Sequence, residues 1–169
     1  KKWCLEFGPQ RTQRALRACL GAPPIYARVN TVKTDAHAVC EALNTEGASA
    51  KPAEIFQNAI IIESPALQNT KAYMDGLFHV QDISSQFCAA ALGAKPGDRV
   101  LDVCAAPGGK TFTVAEIMEN RGEVVACDLH AKRAKLVKTG GERLGLGIIT
   151  ARANDATVYD ESFGKFDKV

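Results

Sequence analysis

Arg99-Val100-Leu101-Asp102-Val103-Cys104-Ala105-Ala106-Pro107-Gly108-Gly109-Lys110-Thr111 is the stretch on which the reading of this chain turns. Its opening residues, Arg99 to Val103, make an apolar run too short for a helix and suited to a buried strand. Small residues and Pro107 break that run. Two glycines follow, and Lys110 to Met118 then has the make-up of a helix. Strand, small-residue loop and helix open a nucleotide-binding β–α unit. Glycine lets the backbone pass close to a ligand, and the helix N-terminus offers unpaired N–H groups to something polar or anionic.

A second short strand, Glu123 to Asp128, ends in a carboxylate about 20 residues past the glycines, where a ribose diol is hydrogen-bonded in such units. An aspartate there also suits the cap of a helix starting near Leu129. Three ligand classes use this geometry. A dinucleotide fold wants Gly-x-Gly-x-x-Gly, which the loop lacks. A P-loop ATPase wants Gly-x-x-x-x-Gly-Lys-Thr. Gly109-Lys110-Thr111 satisfies its end, but Cys104 stands at the first glycine and Pro107 brings no N–H to a phosphate cradle. S-adenosylmethionine needs a close backbone and an acid rather than a triphosphate cradle, and Asp102 before the loop suits a positive charge. The third class fits best.

The run Asp102 to Thr111, with the lead-in Val80-Gln81-Asp82-Ile83-Ser84-Ser85-Gln86, resembles the cofactor motif of the Nop/Sun family of RNA 5-methylcytosine methyltransferases, and most of all its bacterial RsmB-type members. The resemblance implies a small α+β, RRM-like module over residues 1–74. It is followed over 75–169 by the first half of a Rossmann-like class I methyltransferase domain. It implies a site for S-adenosylmethionine made by Cys104, Ala105, Ala106, Pro107, Gly108, Gly109 and Lys110, with Asp128 on the ribose. Arg133 matches a cofactor-proximal arginine, and Asp155, after the third strand, matches the residue that accepts a hydrogen bond from the adenine amino group. Ribosomal RNA, 16S in the bacterial members, is the implied substrate. The two cysteines that the family uses to attack cytosine C6 and release product are expected beyond Val169, so no catalytic residue is assigned and this stretch alone is expected to be inactive.

The rest of the chain is consistent with such a protein. Its 169 residues are 46% hydrophobic and 24% charged, an ordinary globular balance, and no apolar run is long enough for a membrane span. The six cysteines form no C-x-x-C pair and no metal spacing with the three histidines, which predicts reduced thiols in a cytoplasmic protein and no metal site. Residues 1–33 hold seven Lys/Arg against one acid, Glu6. Arg11, Arg14 and Arg17 share one side of a helix expected from Gly8 to Leu20, a basic stripe for RNA phosphates or simply a solvated face, and Arg28 is grouped with them. A non-catalytic RNA-binding module is therefore a second alternative.

Gly21-Ala22-Pro23-Pro24 is expected to end that helix. A strand over Ile25–Val32, a helix over Ala36–Asn44 capped by Thr34 or Asp35, and extended segments over Ala50–Ile55 and Ala59–Glu63, the last closed by Ser64-Pro65, complete the first module. Leu77 to Val80 is expected to run into the second half. A helix follows over Asp82–Leu92, with Asp82 read as its cap. The helix from Ala131 is expected to be interrupted at Gly140-Gly141, and Phe166–Val169 to begin a fourth strand.

Overall fold

The computed structural model describes residues 1–20, 24–64, 66–158 and 160–169; residues 21–23 of the expected break, and Pro65, lie outside them. Helices α1 (Lys2–Phe7) and α2 (Pro9–Ala18) open the chain, with Pro9 in the first turn of α2, where its missing N–H is not needed. Then come β1 (Ile25–Val29), α3 (Ala36–Thr45), β2 (Ser49–Pro52), β3 (Ala59–Glu63), the short α4 (Lys71–Met74) and β4 (Phe78–Val80). Asp35 caps α3, accepting from the N–H groups of His37 and Ala38. The four strands form an antiparallel sheet in the order β2-β3-β1-β4, that of a ferredoxin-like β-α-β-β-α-β sandwich. Alternation along β1 decides its faces. Ala27 and Val29 join Val39, Leu43, Ile60, Ile62 and Phe78 in the core beneath α3, while Arg28 points to the other side.

The sheet corrects the expected boundary. Phe78–Val80 does not run into the second half; it pairs with β1 in the register Ala27↔Val80, Arg28↔His79 and Val29↔Phe78. The first sheet therefore closes at Val80, not before residue 75. Its missing fourth strand was hidden in the sequence because three residues carry too little periodicity to announce an edge strand.

The second half comprises α5 (Ile83–Ala91), β5 (Arg99–Asp102), α6 (Gly109–Ile117), β6 (Glu123–Asp128), α7 (Ala131–Leu144) and β7 (Ile149–Ala153). Its strands are parallel in the order β5-β6-β7. The central strand β6 is covered on both faces, which is why it reads as a continuous apolar run. Val100, Val124 and Ala126 pack with Phe112, Ala115, Met118 and Val137, whereas Val125 and Cys127 meet Phe163 on the opposite side. The chain end lies along the free side of β5, with Leu101 N–H donating to Lys168 O (3.0 Å) and Asp167 N–H to Arg99 O (2.8 Å). Strand order thus reverses beside β5, so a crevice opens at the C-terminal ends of the strands.

The expected break at Gly140-Gly141 is absent: α7 is continuous through both glycines. A Cβ on Gly140 would lie 2.4 Å from the Phe112 ring, so the glycine lets α7 close onto α6. Packing outweighs the helix penalty of about 1 kcal/mol for a glycine.

The two halves meet through α6 and α7. Arg28 Nε donates to Glu116 Oε2 at 2.7 Å, with the two residues 4% and 2% exposed, and His79 Nδ1 stands 3.4 Å from the other carboxylate oxygen. The His79 ring meets Phe112 edge-on. Asn30, fully buried, donates to Gly76 O (2.9 Å) and Leu144 O (2.8 Å), and Arg143 donates to Tyr73 O and Phe78 O. The sheet face that an RRM turns to bases is here packed, around β1 and β4, against the second half. Arg28 is accordingly corrected: grouped by sequence with the RNA-facing arginines, it is instead the buried cation of the interface.

Candidate cofactor site

Loop Val103–Gly108 leaves the C-terminal end of β5 and is held at three points. Asp102 Oδ2 accepts from Thr111 Oγ1 (2.7 Å) and Oδ1 from Cys104 N–H (3.2 Å), so this carboxylate ties the start of the loop to α6. Asp128, at the end of β6 and 1% exposed, accepts from Ala106 N–H (3.3 Å) and His130 N–H (3.3 Å). Arg133, one turn into α7, donates to Ala106 O (3.0 Å), and its Nη1 lies 3.4 Å from Asp128 Oδ1. Gly108 then takes φ +116°, and a Cβ there would lie 2.2 Å from the Phe112 ring. Only glycine combines that turn with so close an aromatic neighbour.

Cys104, Ala105, Ala106, Pro107, Gly108, Gly109 and Lys110 are thus one continuous ledge, and Asp128 and Arg133 stand beside it. The residues fit a nucleoside bearing a ribose diol: an acid at the end of the second strand faces a loop of small residues that opens a helix N-terminus. Two oxygens accepting three contacts still have lone-pair capacity, and the 3.4 Å approach of Arg133 is the longest of them. Asp155 lies past β7 in an exposed turn, where its Oδ1 accepts from Thr157 N–H (2.9 Å) and Oγ1 (2.7 Å). These bonds hold its carboxyl below the usual carboxylate range. The turn-forming reading is thus seen in the structure, and among the described residues Oδ2 takes no part in these bonds.

A P-loop requires the Thr111 hydroxyl at a metal-bound phosphate. Here the residue is fully buried and its proton goes to Asp102. Arg11, Arg14 and Arg17 are exposed along α2, as their spacing predicts. Sequence reasoning did not find the cross-links that anchor α6: Glu116 to Arg28, and Thr113, whose hydroxyl lies 2.7 Å from Gln81 Oε1. A glutamate inside the apolar run Phe112–Ile117 was the available signal. Among the described residues no helix is long and apolar enough to cross a membrane, and no three His, Cys, Asp or Glu residues gather as a metal site.

Fold and site together define a Rossmann-like parallel α/β unit docked on a ferredoxin-like sandwich. Residues 89–169 match the family model described as 16S rRNA methyltransferase RsmB/F, and residues 1–68 match the RsmF/B-like ferredoxin-like domain. The chain belongs to this RsmB/F methyltransferase family. It is 34% identical over 171 residues to the probable ribosomal RNA small subunit methyltransferase B of Bacillus subtilis, covering 100% of this chain and 38% of that protein. It is 32% identical to the human 28S rRNA (cytosine(4447)-C(5))-methyltransferase, over 86% of this chain and 18% of the relative. The chain therefore spans well under half of these relatives.

Among solved structures, a methyltransferase homolog protein from Pyrococcus horikoshii aligns with TM-score 0.71 and 31% identity, over 79% of this chain and 45% of that one. NSun6 from the same organism, solved with SFG, shares the fold with TM-score 0.84 at 19% identity, over 92% of this chain and 64% of that one.

Proposed function

We propose that this chain is the cofactor-binding part of an S-adenosylmethionine-dependent methyltransferase that acts on cytosine C5 of ribosomal RNA, 16S being the substrate in the matched bacterial family. The observation that carries the reading is the Asp128–Arg133 clasp on the loop, which sets a buried acid and a small-residue ledge side by side at the switch point of a parallel sheet. The ledge Cys104–Lys110 would hold the amino acid end and sulfonium side of the cofactor, Asp128 the ribose, and Asp155 the adenine amino group. Ribose hydroxyls would take over the Oδ1 position that the half-exposed Arg133 approaches at 3.4 Å. When bound, S-adenosylmethionine supplies an electrophilic methyl group. This chain's residues orient it and exclude water; they hold no nucleophile assigned to cytosine. Arg11, Arg14 and Arg17 supply a basic stripe for the RNA backbone.

Calorimetric titration with S-adenosylmethionine and, separately, with Mg·ATP tests the reading. Saturable binding of the first is expected, weakened about 10- to 100-fold in Asp128→Ala, as for loss of a hydrogen bond to a charged group. Binding of Mg·ATP alone would overturn it.

A further inference from the structure

The second half covers only part of the first sheet's outer face. Along β1, Ala27 and Val29 enter the core beneath α3, so Tyr26 and Arg28 point the other way. The row through Arg28, which pairs with Ala59 and His79, is the one that Glu116 and Phe112 meet. The next row, Lys51–Ile61–Tyr26 across β2, β3 and β1, lies past that cover: Tyr26 and Ile61 are partly exposed and Lys51 is exposed. Two phenylalanines adjoin it. Phe56, between β2 and β3, has its ring centre 6.0 Å from the Arg28 guanidinium and meets the ring of Phe87 edge-on at 4.6 Å. Phe87 comes from α5 and is 45% exposed. Neither half makes this patch alone. Its next neighbour on α5, Cys88, lines the cavity that also holds Asp102, Cys104 and Lys110, so one helix carries the patch on to the cofactor cleft.

Rings on an open surface beside a cation match the chemistry of unpaired RNA. Each base offers a π face to a ring, a phosphate offers its charge to a lysine, and stacking needs no groove. Lys51 is the charged residue of the row, and among the described residues it has no ion-pair partner; Glu63, two positions past Ile61, marks the far margin. We infer that this patch is a docking platform for a single-stranded stretch of the RNA substrate, with Phe87, Phe56 and Tyr26 stacking bases and Lys51 meeting a phosphate. The inference rests on the RNA reading above and deepens it. A base whose C5 is to be methylated has to leave its stack, so the RNA held next to the cleft is unpaired. The arginine stripe of α2 meets phosphates of any RNA, whereas this platform selects exposed bases.

The test is fluorescence anisotropy on the chain as it stands, with a labelled cytidine–uridine strand of about 12 nucleotides and the same strand held in a duplex. The single strand is expected to bind more tightly. Phe87→Ala is expected to weaken it about tenfold, the scale of one base stacked on a ring, and to leave the duplex within about twofold. Phe87→Trp keeps a ring and is expected to bind like wild type; Phe87→Leu keeps apolar area without a π face and is expected to behave like Phe87→Ala. Lys51→Gln is expected to cost less and to lower the salt slope by about 0.7. Thermal unfolding of each variant checks that it folds. Single-strand binding that ignores Phe87 but is lost when Arg11, Arg14 and Arg17 become alanine would overturn the inference and leave the RNA reading standing. A wild-type chain that binds no RNA would overturn both. Self-association that Phe87→Ala abolishes, with RNA binding unchanged, would overturn the inference and make the patch a contact between copies.

Discussion

The two sheets of this chain use their surfaces in opposite ways. The parallel sheet β5-β6-β7 buries both faces of its central strand β6 and holds one loop at its strand ends, between Asp102 and Asp128. The antiparallel sheet β2-β3-β1-β4 works with a face: Arg28 and His79, side by side on β1 and β4, are spent on Glu116 of α6. A sandwich of this topology often offers that face to single-stranded RNA. Here part of it is an internal interface, and the helix it grips is the one whose N-terminus carries the cofactor loop. The first module is thus a brace for that loop, and its exposed arginines Arg11, Arg14 and Arg17 lie elsewhere, on α2.

Breaking the interface is expected to have the largest effect. Glu116→Ala leaves Arg28 buried without its partner, which costs about 3–5 kcal/mol in urea unfolding. Replacing both, Arg28→Met with Glu116→Leu, is expected to recover most of that loss, because a packed apolar pair has no charge to desolvate. A Glu116→Ala chain as stable as wild type would show that the brace contributes nothing.

The next contrast lies within α7. Gly140→Ala forces a methyl group into the Phe112 ring, and overpacking of about 1–3 kcal/mol outweighs the helix gain of about 1 kcal/mol. Gly141→Ala meets Ile149 at 3.5 Å and the Leu146 carbonyl oxygen at 3.9 Å, both ordinary contacts, so it is expected to stabilise by up to about 1 kcal/mol. Thermal unfolding of the pair should move in opposite directions.

The gentlest test changes no residue. Cys40 lies buried in α3 and Cys127 in β6, one in each module, and burial pushes both thiols up from their ordinary pKa. Cys4, Cys19, Cys88 and Cys104 are exposed. Alkylation followed by mass spectrometry is expected to label those four first. Cys40 and Cys127 should then react together as urea rises, if the interface makes the modules one cooperative unit. Separate exposure of the two would mean that each module opens alone.

The second half was legible because its instructions are local. A strand, a small-residue loop, a helix and an acid about 20 residues on are contiguous in the chain, so Asp102, Gly108, Gly109 and Asp128 could be placed from spacing alone. Arg133, singled out only through the family resemblance, stands in the first turn of α7 against Ala106 O and Asp128. Local pattern equally identified the caps of α3 and α5, since Asp35 and Asp82 each bond N–H groups two or three residues ahead.

What local pattern missed was set by residues far apart in sequence. Arg28 and Glu116 are 88 positions apart, Asn30 reaches Leu144, and β4 is a strand only because β1 lies beside it. Gly140 reads as a helix breaker until Phe112 is seen against it. The sequence by itself determined the order of elements in the second half, the loop and its acids, since backbone sterics and hydrophobic period act over a few residues. Tertiary structure alone decided which arginine is buried and which glycine serves packing. It also decided where the first sheet ends and that Phe56 meets Phe87, because each depends on what desolvation and close packing bring together from distant parts of the chain.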